Sequence, residues 1–460
     1  MKLPKGEDKV LGKVWGKKPE ALLPRLPQKS PGISHFEKAA SAVPGSAGRL
    51  RRIEEEDGAG DREPGPGLGA VAEAGFIAPG WFGGEEMDEI IKQSAVIENE
   101  HVKKWKRDGG RVVGYICLAT PTEIMDAAGL LPYRVRALGN SQTEMADARL
   151  SRFNCSFCRS CLQLGLDGTY DFLDGMIETN GCDHLRGMIE NWHYAKPFAF
   201  LHYLKVPHLA DPSSLKYYEE DLRLYQQAIE NHFDVTITEA ELWNQIQMED
   251  RVREKLKTIY EMRERAEPAF TGAETLSLFL MATAAPAAVR EKLLDQAIAE
   301  RKDHKIRGYK ARLLLGGSAT DEVDFIQGIE SMGGLVVADT LCYGSRAFWP
   351  RLNPAKAGDP LQVLAKTYLE ELLCPRMFQD FPRRRDYVLA AVERAKADGV
   401  ILVHNKFCDV HGVDNVAFRL ALEKKGIPVL QLEKEYGASA DIGRMKTRVQ
   451  AFLERIGGPQ

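Results

Sequence analysis

Gly175-Met176-Ile177-Glu178-Thr179-Asn180, running into Gly181-Cys182-Asp183, decides the reading of this chain. A short strand-like run ends at a cysteine, and helix-forming sequence follows. The device recurs twice. Leu335-Val336-Val337-Ala338-Asp339 leads into Thr340-Leu341-Cys342, and Val400-Ile401-Leu402-Val403-His404-Asn405 leads into Lys406-Phe407-Cys408-Asp409. In an open α/β sheet the C-terminal strand ends line the crevice where ligands bind. Thiols gathered there, with Cys155-x-x-Cys158-x-x-Cys161 upstream, are ligands for a soft metal, foremost an iron–sulfur cluster. Structural zinc is the competing metal, although no second Cys-x-x-Cys completes such a site.

Working outward, Val112–Leu118, Tyr133–Leu138 and Phe198–Leu204 read as further strands of an N-terminal unit. Pro121-Thr122-Glu123-Ile124 starts a helix after the first of them. Arg312–Gly316, Leu335–Asp339, Gly399–Asn405 and Ile427–Leu432 form a second set. Strand alternating with helix predicts an α/β protein with two doubly wound, Rossmann-like parallel-sheet lobes. Residues 214 to 305 read as helical, with capping boxes at Thr238-x-x-Glu241 and Thr271-x-x-Glu274. The charge-dense run Glu249 to Arg265 reads as a solvated helix face. Met87 to Lys106 reads as one amphipathic helix. Residues 1–86, rich in Pro, Gly, Ala and charge, read as a disordered leader, with Met87 as the native start. The expected organisation is therefore leader 1–86, N-terminal lobe 87–215, helical connection 216–305 and C-terminal lobe 306–460.

The chain has 460 residues, 44% of them hydrophobic and 28% charged, which suits two or three soluble domains. A net charge of −4 offers no global basic field for nucleic acid. The longest mostly apolar stretch, Leu276 to Val289, contains Pro286 and is too short to span a bilayer. Without export or membrane signals the expected compartment is the cytoplasm, where clustered cysteines read as metal-binding rather than disulfide-forming.

Each singled-out residue has a plainer reading beside the chemical one. Any single cysteine can be a buried small hydrophobe, and Cys117 and Cys374 are read that way. Cys182, Cys342 and Cys408 share a position before helix-forming or polar sequence, where a helix N-terminus favours the thiolate. His184 and His411 are neighbours of cysteines, and either is a ligand or proton donor if not simply a satisfied histidine. Glu123 complements a helix dipole or acts as a general base. Gly316-Gly317-Ser318-Ala319-Thr320 is a candidate phosphate cradle, but no Walker loop occurs. ATP, if used, is hydrolysed by a partner.

The stretch Thr120-Pro121-Thr122-Glu123-Ile124-Met125-Asp126-Ala127-Ala128-Gly129-Leu130-Leu131-Pro132 resembles a motif of the 2-hydroxyacyl-CoA dehydratase and ATP-dependent benzoyl-CoA reductase subunits. So do Asn154-Cys155 to Leu162, Tyr170 to Gly175, Thr179 to Arg186, Ala338 to Arg346 and Lys406 to Asp409, in that order. Cys158 departs from the family, where an aliphatic residue is common, and Ala338 stands where a second Asp is common. The resemblance implies a [4Fe-4S] cluster held by Cys155, Cys182 and Cys408. Cys158, Cys161 and Cys342 are extra candidates, sufficient for an [8Fe-9S] double cubane. It implies a smaller, substrate-side subunit, a homologous partner subunit, an iron–sulfur ATPase activator and an acyl-CoA substrate; the catalytic candidates, Glu123 and His184, come from their own positions in the sequence. Benzoyl-CoA-type ring reduction is the first expectation and 2-hydroxyacyl-CoA dehydration the second. A zinc-stapled scaffold is the reading outside the family.

Overall fold

Runs such as Leu335-Val336-Val337 and Val400 to Val403 have no alternating polar face, so they suit strands covered on both sides. The computed structural model describes residues 85–348, 358–437 and 442–457. The expected leader, up to residue 84, lies outside the described residues. The N-terminal lobe holds β1 (Val112–Tyr115), β2 (Leu131–Arg134), β3 (Gly175–Thr179) and β4 (Phe200–Leu204). All pair in parallel, in the order β2-β1-β3-β4. The C-terminal lobe holds β5 (Ala311–Gly317), β6 (Gly334–Thr340), β7 (Gly399–Asn405) and β8 (Val429–Lys434). Its order, β6-β5-β7-β8, repeats that of the first lobe, again all parallel. Each sheet therefore reverses its winding between the two central strands, β1 and β3 in one lobe and β5 and β7 in the other. The crevice of an open α/β sheet forms at that switch point. The two Rossmann-like lobes read from the sequence are present.

In the N-terminal lobe the helices are α1 (Glu85–Ser94), α2 (Glu100–Arg107), α3 (Glu123–Ala127), α4 (Glu144–Asp147), α5 (Ser156–Leu166) and α6 (Asp183–Ala195). The long helices α7 (Pro212–Phe233), α8 (Glu239–Glu264), α9 (Gly272–Ala282) and α10 (Ala287–Glu300) connect the lobes. The C-terminal lobe adds α11 (Val323–Glu330), α12 (Pro360–Glu370), α13 (Phe381–Arg394), α14 (Asp409–Glu423) and α15 (Ile442–Ile456). Both predicted capping boxes form, starting α8 and α9.

Two sequence readings need correction. The single helix expected over Met87–Lys106 is two, α1 and α2. Asn99 breaks it: its Oδ1 accepts the His101 and Val102 amides as an N-cap, and its Nδ2 donates to the Ala284 carbonyl. The charge-dense run of α8 is not simply a solvated face. Glu249, Arg253 and Arg263 are buried, and each has an ionic partner on another element. Arg253 reaches Glu123 of the first lobe, and Arg263 reaches Asp339 of the second. Helix α8 thus braces both lobes.

The lobes meet through their C-terminal sheet edges. Asp321, just past β5, accepts the Ala137 and Leu138 amides past β2, at 2.7 and 3.2 Å. Tyr343, past β6, donates its hydroxyl to the Val135 carbonyl. The Ser156 amide donates to the Lys406 carbonyl at 3.3 Å. With both crevices turned toward one another, residues from the two switch points share one space.

Candidate metal centre

Three helices start in that shared space, and each has a cysteine as its N-cap: Cys155 before α5, Cys182 before α6 and Cys408 before α14. An N-cap side chain faces free backbone amides and the positive end of the helix dipole. Cys182 shows the contact directly, its Sγ accepting the Leu185 amide at 3.4 Å. The Cys155 thiol hydrogen-bonds with those of Cys158 and Cys408. Cys182 lies in the electrostatic surroundings of Cys155, Cys408 and Cys117. Thiols from segments distant in the chain and from both lobes thus converge.

The surrounding bonds fix this arrangement. His184 accepts the Cys155 amide on Nδ1 at 2.7 Å, so its proton resides on Nε2, which faces Asp409 Oδ2 at 2.9 Å. One imidazole therefore ties together the three segments that carry Cys155, Cys182 and Cys408. Ser318 and the His411 amide bond to Cys408. Gly181 keeps the floor thin: a Cβ there would lie 3.1 Å from Cys117 Sγ. Phe407, with φ +63, holds a left-handed backbone that non-glycine residues rarely adopt, immediately before Cys408.

The thiols themselves are pushed toward the neutral form. The hydrogen bond with Cys158, followed by burial, raises Cys155; the bond with Cys155 and then burial raise Cys408. For Cys158 the bond with Cys155 lowers the value, but burial and neighbouring sulfurs outweigh it and hold the thiol at about 11. Burial alone leads for Cys182 and Cys161. A bound cation reverses that balance, because metal takes the place of the thiol protons. Among the described residues no three His, Cys, Asp or Glu side chains form a compact donor set for a single ion. A zinc staple requires four donors on one ion. A polynuclear cluster instead takes thiolates at separate irons, which suits sulfurs spread over three helix starts. Cys155, Cys158, Cys182 and Cys408 are the thiols that this centre offers as candidate ligands.

The other sequence-singled residues fall elsewhere. Cys161 is buried one helical turn beyond Cys158, near Asp321. Cys342 is directed toward Arg134, whose Nη1 donates to its carbonyl at 2.8 Å. Cys117, read as an ordinary core residue, is only partly buried and stands against Gly181 beside the thiol group. Cys374 is also partly buried, and its thiol is raised by burial. The proposed phosphate cradle is already occupied by protein: the Ser318 amide donates to the Val403 carbonyl, and Ser318 Oγ accepts the Asn405 amide. His411 is buried with its Nε2 3.5 Å from Arg346, and burial followed by Arg346 holds its pKa well below the usual value.

Glu123, at the start of α3, is fully buried and accepts Arg253 Nη2 at 2.7 Å and the Tyr368 hydroxyl at 2.9 Å. It is one wall of a polar network behind Cys117. Arg290 bridges Asp126 at 2.9 Å and Glu249 at 2.5 Å. Burial, partly opposed by Arg290, pushes Asp126 up to about 7. Arg253, Arg290 and Glu249 of the network line a partly open cavity of about 70 Å³, and a small neighbouring space of about 10 Å³ reaches Arg346. A much larger opening of about 870 Å³ lies outside Cys408, with Phe153, Phe407, Arg152 and Lys406 on its rim.

The family model for the 2-hydroxyglutaryl-CoA dehydratase D-component matches residues 117–456, which include all the segments just described. The chain belongs to that family. It is 27% identical over 316 residues to one of the benzoyl-CoA reductase subunits of Thauera aromatica, covering 67% of this chain and 81% of the relative. It is 25% identical over 371 residues to the beta subunit of (R)-2-hydroxyglutaryl-CoA dehydratase from Acidaminococcus fermentans, covering 77% and 94%. The (R)-phenyllactyl-CoA dehydratase beta subunit of Clostridium sporogenes matches at 23% over 368 residues, covering 78% and 96%. No helix among the described residues of this D-component chain is long and apolar enough to cross a membrane.

Several residues of the D-component site escaped sequence reasoning: Arg253, Tyr368, Arg346, Ser318 and Asp409. Arg253 and Tyr368 meet Glu123 across 130 and 245 residues of chain and Arg346 meets His411 across 65, so no local pattern marks them. Asp409 had a signal, since it directly follows a strand-end cysteine just as Asp183 does.

Proposed function

We propose that the chain is the iron–sulfur catalytic subunit of a low-potential enzyme acting on acyl-CoA thioesters, working beside a homologous partner subunit and an ATP-using electron donor. The observation that carries this reading is the meeting of Cys155, Cys182 and Cys408, each a helix N-cap, at the facing switch points of the two lobes. Cys155, Cys182 and Cys408 would hold the cluster, which would supply one-electron chemistry and Lewis acidity toward the thioester.

The chain's own residues do the rest. The three helix starts present backbone amides that offset the negative charge of thiolates. His184 fixes the relative placement of the ligand segments. Burial of the sulfurs keeps water from the reacting centre, and the wide opening outside Cys408 gives a bulky thioester a way in. The relatives include ring-reducing and dehydrating enzymes.

The test is anaerobic purification followed by iron and sulfide analysis, electron paramagnetic resonance, and turnover of benzoyl-CoA and 2-hydroxyacyl-CoA with an activator. Cluster iron that disappears in Cys182→Ala, with turnover of at least one of these thioesters by the parent protein, is the expected result. A colourless protein with stoichiometric zinc would overturn the reading.

A further inference from the structure

Helix α14 carries an apolar stripe that no described residue covers. Val413, Val416 and Leu420 are 76%, 46% and 57% exposed. Their i, i+3, i+7 spacing sets them on one face, as in the seam between two packed helices. The opposite face sends Phe418 and Leu422 into the core of the C-terminal lobe. The stripe runs on to the opening outside Cys408, where Val413 stands with Phe153 and Phe407. Those two rings meet edge to face at 5.4 Å and are themselves exposed. Apolar side chains scattered singly over a surface are ordinary, but a continuous patch of them marks a contact surface.

Charge at the two ends of the stripe says what covers it. Asp409 and Lys424 continue the same face, one before Val413 and the other after Leu420, each at i,i+4 spacing. The Asp409 side chain is exposed, and Lys424 is exposed without an ion pair to a described residue. The face therefore runs from an acid through three apolar residues to a base. Laid antiparallel on a second α14, about a two-fold axis beside Val416, it sets Val413 opposite Leu420 of the other copy and Asp409 opposite its Lys424. Parallel pairing would instead set Asp409 against Asp409 and Lys424 against Lys424. Ala417 flanks the centre and is small enough for the backbones to approach. A patch that complements itself under a two-fold rotation is what an isologous dimer requires.

We propose that the exposed face of α14 binds a second copy of this chain, the two helices packing antiparallel about a two-fold axis. Asp409 lies on the rim of the opening outside Cys408. Each copy thus brings its Lys424 to the rim of the other's opening, and the mouth of each thiol centre is complete only in the pair. This pairing depends on the shape and charge of α14 alone, not on what the thiols hold.

The test is sedimentation equilibrium of the full chain, purified anaerobically, at micromolar concentration. A dimer is expected. Val416→Glu sets two carboxylates face to face at the axis and is expected to weaken the dimer about 100-fold or more. Its site is half exposed, so the melting temperature of the monomer should hold. Lys424→Glu turns two symmetry-related attractions into repulsions and is expected to weaken the dimer about tenfold. Adding Asp409→Lys to that variant reverses both charges and is expected to bring the dimer back to within about threefold of the parent. A monomeric parent overturns the proposal, as does a dimer that Val416→Glu leaves intact. A double variant no tighter than Lys424→Glu overturns it too, because the antiparallel register is then wrong. A different chain that occupies this face and is released by Val416→Glu also overturns it. None of these outcomes bears on the iron–sulfur reading, which iron and sulfide analysis tests separately.

Discussion

Replacing His184 by alanine tests the construction of the site more directly than removing a cysteine does. The imidazole accepts the Cys155 amide at 2.7 Å and faces Asp409 at 2.9 Å. Cys155 is 6% exposed, so alanine leaves a nearly buried N–H without an acceptor. That costs about 1–3 kcal/mol. The Asp409 side chain is 80% exposed, so losing that contact adds at most about 1 kcal/mol. A loss near 2 kcal/mol is expected, read as a lower urea midpoint at constant slope. His184→Asn places a carbonyl oxygen near the Nδ1 position and is expected to recover most of it. His184→Gln, which reaches instead toward Asp409, is expected to recover little. Iron retention during challenge with a chelator should follow the same order, because the amide bond holds Cys155 in its cap. If His184→Ala falls within about 0.5 kcal/mol of the parent, or if Asn and Gln rescue equally, the imidazole does not organise the ligand segments.

Other substitutions separate the remaining claims. Cys182→Ala and Cys408→Ala are expected to lose cluster iron while staying folded, whereas Cys117→Ala retains it; iron analysis of the three variants decides this. Gly317 has φ +111, and a Cβ there would meet the Val403 carbonyl oxygen at 2.0 Å. Gly317→Ala is therefore expected to cost about 3 kcal/mol or more, while Gly308→Ala, with φ +80 but open space, costs only about 1 kcal/mol of backbone strain. Burial pushes Glu330 from 4.5 up to about 8 despite three backbone amides that favour its ionised form. The native state keeps a proton that the unfolded chain releases above 4.5, so this contribution is full below that pH. It is lost as pH rises toward about 8. The loss is at most about 1.4 kcal/mol per pH unit. Glu330→Gln should flatten the fall in melting temperature over that range; an unchanged slope would contradict the assignment.

The alternation of strands and helices was legible because covered parallel strands have no polar face and the capping boxes of α8 and α9 announce themselves. Cys182 and Cys408 share a place at a strand end and a helix start, a local signal that also occurs at Cys342, whereas Cys155 caps α5 with no strand before it and was grouped with them through the family resemblance. What stayed hidden is what depends on distant partners. Glu249, Arg253 and Arg263 look like solvent charges until Arg290, Glu123 and Asp339 meet them. The break between α1 and α2 was readable in principle from Asn99, but the apolar spacing on either side masked it. Cys117 looked inert because its neighbour is a glycine, which leaves no side chain to hint at proximity.

The thiol centre also constrains the order of events during synthesis. Cys155 and Cys182 emerge from the ribosome before the long helices that brace both lobes, and the Cys408 segment emerges after them. The sulfurs can meet only once β7 has taken its place between β5 and β8. Whatever these cysteines hold can therefore be gripped by all three only once the start of α14 has been made, and a product ending before α14 would present the earlier thiols with nothing to close over them.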